Sequence, residues 1–437
     1  MPVQRRPGPA EEPITAKNRD SLMRIAIIGT GISGLTCAHL LGDRHDVTVF
    51  EQDHRPGGHT NTVRVELGDE AHDVDTGFLV YNERNYPGLV RLFERLGVPT
   101  KPSDMSFSVS DSATGIEWRA TSPNTIFSQR RNALRPEFLR MLVDIPRFNR
   151  SVRRLSQEGV PETVTLREIL SAGGWSARLA EWYLAPMVSA VWSAPPAHAL
   201  DMPAHTFARF FENHGLLQFG AQPRWRTVDG AARTYVERIL RPLGDRVLLG
   251  TPVTKILRRA EEVEVLSDRF GPQNFDHVVL ACHSDQSLGL LGDPTSTERE
   301  ILGAIRYQAN TAVLHTDSRL LPLTRRARAS WNYRVPATRQ AGATVTYHLN
   351  RLQSINSCHD LCVTLNQVEA VDPEQILGVF DYAHPVLDAR AVAAQKRYDE
   401  ISGRRSTWYC GAYWGYGFHE DGLQSALRVC RNFGESL

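Results

Sequence analysis

A short apolar run, Arg24–Ile28 (RIAII), leads directly into Gly29-Thr30-Gly31-Ile32-Ser33-Gly34, and helical spacing follows from Ser33 to Leu41. This order of strand, glycine turn and helix constrains the fold more than any other feature of the chain. The run reads as a buried parallel strand. Val47–Phe50 (VTVF) reads as the next strand and closes on Glu51, completing a βαβ unit of about 30 residues. Gly29 permits the tight turn, Gly31 lets backbone approach a pyrophosphate, and Gly34 allows the helix to pack closely on the strand. The pyrophosphate then lies on amides at the positive end of the helix, and Glu51 accepts hydrogen bonds from an adenosine ribose. The candidate nucleotide-binding residues here are Gly29, Gly31, Ile32, Ser33, Gly34, Glu51 and Gln52.

The residues after Glu51 separate a short dinucleotide from a longer one. Arg55-Pro56-Gly57-Gly58 follows at once, and Asp75-Thr76-Gly77 comes soon after. A basic residue beside a second glycine pair suits a loop that wraps the far phosphate of an extended cofactor. In this order of motifs the chain resembles the FAD-dependent amine oxidase and phytoene desaturase superfamily. That pattern ends its glycine pair with arginine; here His59 stands in that place, followed by Thr60. The resemblance implies FAD and adds Arg55, Gly57, Gly58, His59 and Thr60 to the cofactor set. It continues in Thr227–Ala231 (TVDGA), in Thr251–Ile256 (TPVTKI) with Val253 as the residue whose backbone meets the adenine, and in Phe275–Cys282 (FDHVVLAC). Near the end, Gly411 and the run Gly417–Gly422 resemble the closing motif, with Asp421 and Gly422 at a helix start that faces the flavin end of the cofactor. Cys410 is not placed where amine oxidases attach flavin, so the resemblance implies non-covalent FAD.

The expected fold class is α/β. A discontinuous Rossmann-type FAD-binding domain is assembled from 23–96, 222–290 and 391–437, and an α+β substrate domain from 97–221 and 291–390. Strands are expected at Met105–Trp118, Val247–Leu249, Val253–Leu257, Val263–Leu266, Asp276–Ala281, Ala343–Leu349, Cys362–Leu365 and Trp408–Gly411. Helices are expected at Asn85–Leu96, Phe127–Leu155, Leu166–Ile169 and Ala177–Val191, with a last one from Gly422. Residues 1–22 are polar and carry four prolines, which reads as a disordered tail. Met23, directly before the first strand, is an alternative start. No run reaches the roughly 20 apolar residues that span a bilayer.

Several segments are similar to one subgroup, the bacterial FAD-binding oxidoreductases that accompany cyclopropane fatty acid synthases. These are Trp331–Arg334 (WNYR), Asn350–Gln353 (NRLQ), Tyr382–Pro385 (YAHP) and Cys410–Phe418 (CGAYWGYGF). The similarity implies FAD-dependent hydride transfer or desaturation on a lipid acyl chain. Three other readings stay open: an oxidase of amines or small molecules, an isomerase that uses reduced flavin, and a non-catalytic flavin partner of a lipid methyltransferase. The tentative catalytic candidates are Trp414, Tyr416, Phe418 and His419. Phe418 falls near a tyrosine of the amine-oxidase aromatic cage, and His419 is the one nearby group able to titrate near neutrality.

Composition adds exclusions. The formal net charge of +1 gives no argument for nucleic acid. The six cysteines include no C-x-x-C pair, so neither a zinc site nor a disulfide framework is expected, and a cytoplasmic setting fits. The expected partners are a small-molecule or lipid substrate and, further, a lipid methyltransferase. The arginine-rich stretch Arg130–Arg154 reads either as a solvated helix face or as peripheral contact with anionic phospholipid. Trp182–Pro196 (WYLAPMVSAVWSAPP) reads either as helical core or as the lining of an acyl-chain tunnel.

Overall fold

The computed structural model describes residues 22–158, 163–192, 196–215, 217, 223–260, 262–335 and 345–437. The expected tail, apart from Leu22, lies outside them. Two compact units divide the chain: the first is Met1–Gly58, Val236–Ile305 and Ala393–Leu437, and the second is His59–Tyr235 and Arg306–Val392.

The first unit is built from β1 (Arg24–Ile28), α1 (Ile32–Leu41), β2 (Asp46–Phe50), β3 (Val247–Leu248), β4 (Val253–Arg258), β5 (Val263–Ser267), β6 (Gly271–Phe275), β7 (His277–Leu280), α2 (Ser284–Leu290), α3 (Ser296–Ala304), β8 (Thr407–Tyr409) and α4 (His419–Asn432). Five strands form one sheet in the order β3-β2-β1-β7-β8, and every pairing in it is parallel. Ile27 lies opposite Val49 on one side and Val279 on the other. Ile25, Ala26 and Ile27 are fully buried, which explains the unbroken apolar run of a strand covered on both faces. A separate antiparallel meander, β4-β5-β6, carries a bulge between Val253 and Lys255. The thiol of Cys37, on α1, stands 4.0 Å from that of Cys410, both buried, and the contact with Cys410, reinforced by burial, raises the Cys37 thiol well above its ordinary range. Such thiols pack as small apolar groups.

One buried ion cluster ties this unit together. Arg258 donates to both oxygens of Glu298 and, through Nε, to Asp293 at 2.9 Å. The Tyr409 hydroxyl donates to Glu298 at 2.8 Å. Burial opposes the Glu298 charge, but Arg258, the Thr295 amide and Tyr409 outweigh it and hold the carboxyl down at about 2.

The second unit carries a seven-stranded sheet in the order Ile376–Pro385, Tyr307–His315, Cys362–Leu365, Val345–His348, Trp331–Arg334, Phe107–Asp111, Ile116–Arg119. Only Trp331–Arg334 and Phe107–Asp111 pair in parallel within it. Its two longest strands, Tyr307–His315 and Ile376–Pro385, were not among the expected ones. They pair through nine rows across about seventy residues of sequence. Pro385 ends the outer strand, where an absent N–H is tolerated. Among the helices, Pro136–Glu158 is long, and Ala177–Trp192 is a helical run with a wide π-type turn at Ala180–Leu184. Trp182, Leu184 and Val188 are fully buried, and Trp182 Nε1 donates to Asp111 at 2.9 Å. That part of the aromatic stretch is core; residues 193–195 lie outside the described ones. Among the described residues no helix is long and apolar enough to cross a membrane.

Replacing Glu298 with alanine strands the buried Arg258 guanidinium. We expect a loss of about 3 kcal/mol, the scale of breaking one partner from a buried pair, read as a lower urea midpoint for the first unit. An unchanged midpoint contradicts the cluster's structural role.

Candidate cofactor and active site

The glycine turn has the geometry its spacing predicts. Gly29 sits at φ +105°, a conformation that favours glycine. A Cβ on Gly34 would lie 1.9 Å from the Gly29 carbonyl oxygen, so no larger residue fits where α1 leaves the turn. Gly31 is different. It has φ −63° and no side-chain cap stands over the α1 amides, and a Cβ placed on Gly31 would meet nothing within 4 Å. The helix start therefore faces open space at the position a pyrophosphate needs. Ile32 and Ser33 are buried beneath it.

A hydrogen-bond relay joins this turn to the next two motifs. The Gly57 amide donates to Thr30 Oγ1 at 3.0 Å, and that hydroxyl donates to Glu51 Oε2 at 2.5 Å. The Thr30 amide reaches the same oxygen at 2.9 Å, and the Asp53 amide reaches Oε1 at 3.0 Å. A carboxylate offers about four acceptor positions, so Glu51 keeps capacity on Oε1 for a ribose hydroxyl. Gly58, at φ +56°, brings its Cβ position within 3.2 Å of Gly31 Cα. Arg55 donates to the Pro56 and Gly58 carbonyls at 3.2 and 2.9 Å, shaping the loop. Gln52 is exposed. The Thr251 amide donates to the Glu51 carbonyl at 2.8 Å, which places the segment leading into Val253 beside the acidic residue.

The closing motif returns to the same end of α1. A Cβ on Gly422 would lie 2.8 Å from Ile32 Cγ2, and Ser33 Oγ donates to the Gly422 carbonyl at 2.8 Å. The Gly411 amide donates to Ser425 Oγ at 2.8 Å. Asp421 Oδ2 accepts the Phe418 amide at 2.9 Å, and burial pushes its carboxyl up to about 6. Asp421 thus holds the Tyr416–Phe418 loop onto α4. Of the catalytic candidates, Trp414 ends the short turn Ala412–Trp414, Tyr416 and Phe418 lie in the loop, and His419 is the first position of the helix. Trp414 stands edge-on to Tyr398, centroids 4.8 Å apart, a packing contact, while its Nε1 is buried without a hydrogen-bond partner. Burial pushes the His419 imidazole down to about 3, and a helix N-terminus disfavours a cation there as well. His419 is therefore a neutral imidazole at physiological pH.

His59 and Thr60 belong to the second unit, where motifs far apart in sequence converge. The ring of His59 lies 4.9 Å from Tyr382 and 5.3 Å from His384. Tyr382 accepts from Asn61 at 3.0 Å and shares a 2.7 Å bond with Thr76. Thr60 Oγ1 is hydrogen-bonded to the Tyr235 hydroxyl. Asp75 accepts from the Ala232 amide and exchanges two bonds with Gln353, at 2.9 and 2.8 Å. Burial pushes the Asp75 carboxyl up to about 7, against Thr62 and Ala232, which lower it.

Sequence reasoning missed three members of these networks. Thr30 has no role in the glycine spacing, though a hydroxyl inside the glycine turn was the available signal. Asn366 and Asn310 carried no signal. Asn366 sits at φ +58° and exchanges two bonds with the Thr311 backbone, donating to its oxygen at 2.8 Å and accepting its amide at 3.0 Å on Oδ1. That fixes the amide's direction. Asn366 Nδ2 donates to Asn310 Oδ1 at 2.9 Å, and Asn310 Nδ2 donates to His384 Nδ1 at 3.0 Å. The His384 proton then sits on Nε2.

A parallel sheet, a glycine turn on a helix start and an acidic residue closing the second strand define a dinucleotide-binding unit. Residues 32–333 match the family of flavin-containing amine oxidoreductases, more than half of the chain, and the protein belongs to that family. Its cofactor is FAD, and it is an FAD-dependent oxidoreductase. No curated protein matches it by sequence. Among solved structures it is similar to a redesigned putrescine oxidase triple mutant (TM-score 0.66, 16% identity, covering 94% of this chain and 98% of that one). It is similar to a fatty acid isomerase of P. acnes that produces CLA (TM-score 0.65, 16%, 94% and 98%). It is likewise similar to the cyclohexylamine oxidase of Brevibacterium oxydans IH-35A (TM-score 0.67, 15%, 94% and 99%). At these identities the likeness shows the fold.

The residues fit FAD. The open space at Gly31, the uncapped α1 amides and the remaining Oε1 capacity of Glu51 are what its pyrophosphate and adenosine half require. A Gly31→Val protein should fold, since nothing in the protein meets the new Cβ, yet purify colourless; a yellow G31V protein contradicts the assignment. Gly34→Val should fail to fold.

His419 gives a pH prediction. Its folded pKa, about 3, lies below its ordinary value of 6.5, so the unfolded chain binds more protons between those values and the imidazole's contribution to stability is lost as pH falls. Melting temperatures of wild type and His419→Gln, followed from pH 7 to pH 4, should show a shallower acid decline for the variant. Parallel declines contradict it.

Proposed function

We propose that this FAD-dependent oxidoreductase acts on an uncharged hydrocarbon segment, the acyl chain of a lipid, by hydride transfer or desaturation. The observation that carries this reading is the closing loop: Trp414, Tyr416 and Phe418 precede a His419 held neutral by burial, and Asp421 is raised to about 6 while it accepts the loop's own amides. An ammonium substrate needs a compensating anion or a proton acceptor; the imidazole of this loop stays neutral, and its carboxylate is taken up by the loop's own amides. Phe418, where amine oxidases have a cage tyrosine, suits a neutral apolar chain. The likeness to a fatty acid isomerase is compatible with acyl substrates, and the likeness to amine oxidases keeps amines as the competing class.

When bound, FAD supplies the two-electron chemistry, taking a hydride from substrate carbon or returning one. The chain's own residues orient and shield. The α1 amides and Glu51 hold the pyrophosphate and ribose. Asp421 fixes the aromatic loop that excludes water from an apolar substrate. Neutral His419 adds no charge to the loop. We infer non-covalent attachment: Cys410 and Cys37 are buried against each other.

Anaerobic mixing of the yellow protein with unsaturated or methylated phospholipids and, separately, with simple amines tests the reading. Loss of visible flavin absorbance with lipids, and a new double bond in the product, is expected. Bleaching by amines alone contradicts it and selects the amine class.

A further inference from the structure

The second unit carries a surface whose chemistry the oxidoreductase reading does not use. Leu134 is 85% exposed and Leu323 is 87% exposed, and Leu139 and Val143 are also exposed on the long helix Pro136–Glu158. Isolated exposed leucines are ordinary, but these two leucines lie on segments joined through one buried residue. Glu117 accepts the Leu323 and Thr324 amides, each at 2.8 Å, through its side chain. Its carbonyl accepts Asn132 Nδ2 at 3.1 Å, from the turn Arg130–Leu134 that presents Leu134.

The exposed charges around these leucines that lack an opposite partner are arginines. Arg130 donates to the Phe127 carbonyl and to Asn124 Oδ1, Arg131 to the Gly115 carbonyl, and Arg135 to the Thr114 carbonyl. These partners are neutral, so the guanidinium charges are not cancelled. Arg325 and Arg326 are exposed on the turn just after Leu323. Of the nearby carboxylates, Glu117 is buried and Glu137 is paired with Arg178 at 2.9 Å. Exposed leucines set among uncompensated arginines match the boundary layer of a bilayer, where apolar side chains enter and cations meet anionic headgroups.

We propose that this surface docks the protein on an anionic phospholipid bilayer, with Leu134 and Leu323 entering the headgroup layer and Arg130, Arg131, Arg325 and Arg326 meeting phosphate. Docking would bring the protein to a source of acyl chains. It rests on surface residues alone and does not depend on the acyl-chain reading.

The test is co-sedimentation of the FAD-loaded protein with vesicles of phosphatidylglycerol and phosphatidylcholine in equal parts, against phosphatidylcholine alone. Binding to the anionic vesicles should exceed binding to the neutral ones and weaken with salt. Leu134→Ser with Leu323→Ser should lower it at least tenfold, and Arg325→Gln with Arg326→Gln by about fivefold per arginine. Melting temperature and flavin content should be unchanged, since all four positions are exposed. No preference for anionic vesicles, or binding that both variants retain in full, overturns the proposal. So does a leucine variant that only turns a dimer into a monomer, which assigns the surface to a second copy of the chain. Vesicle binding without flavin bleaching by lipids leaves the docking surface standing and removes the acyl-chain reading. Bleaching by dispersed lipids without vesicle binding does the reverse.

Discussion

The hydroxyl of Thr30 works in two directions. It accepts the Gly57 amide and donates to the Glu51 carboxylate, and Thr30 also gives its own amide to Glu51. Three motifs spread over about thirty residues are thereby fixed to one another before any ligand arrives. The close approach of Gly34 to the Gly29 carbonyl holds the helix on the strand, and the relay then sets the second glycine pair against Gly31. Charge-assisted hydrogen bonds in a buried setting are the strong ones. Preorganisation of this kind lowers the ordering cost of binding a long, flexible cofactor.

The second unit uses the same device over a longer distance. Asp75, Gln353 and the Ala232 amide come from three distant stretches and meet around one buried carboxyl. His59, Tyr382 and His384 are gathered beside it by ring contact. The arginine that the superfamily places at position 59 is absent here, and a histidine packed between a tyrosine and a second histidine occupies that point of the chain. The Thr311 backbone sets the polarity of the Asn366–Asn310–His384 chain, so one backbone amide determines which imidazole nitrogen carries the proton.

How far the sequence could be read follows from the range of the forces involved. The β1–α1–β2 unit was legible because its determinants are local: a run buried on both faces, glycines that each answer a steric demand, and an acidic residue at a strand end. Cys362–Leu365 was legible for the same reason, as a short β-branched run buried throughout. Tyr307–His315 and Ile376–Pro385 were not, because their residues alternate irregularly and find their order only in each other. α4 begins at His419 rather than Gly422, since the Asp421 carboxylate captures the Phe418 amide and extends the helix by nearly a turn. For the site, the glycine and acidic residues were visible, whereas Thr30, Asn310 and Asn366 act through tertiary partners that no spacing reveals. His419 looked titratable as a residue type; its burial was a property of the fold.

The glycine turn, its helix amides and Glu51 fit the adenosine and pyrophosphate half of FAD. Titration of the flavin-free protein with FAD and with FMN, which lacks that half, tests it most directly. The account predicts one FAD per chain and FMN binding weaker by roughly 100-fold or more, the scale of losing two hydrogen bonds to charged groups. Equal affinity for FMN and FAD would contradict it.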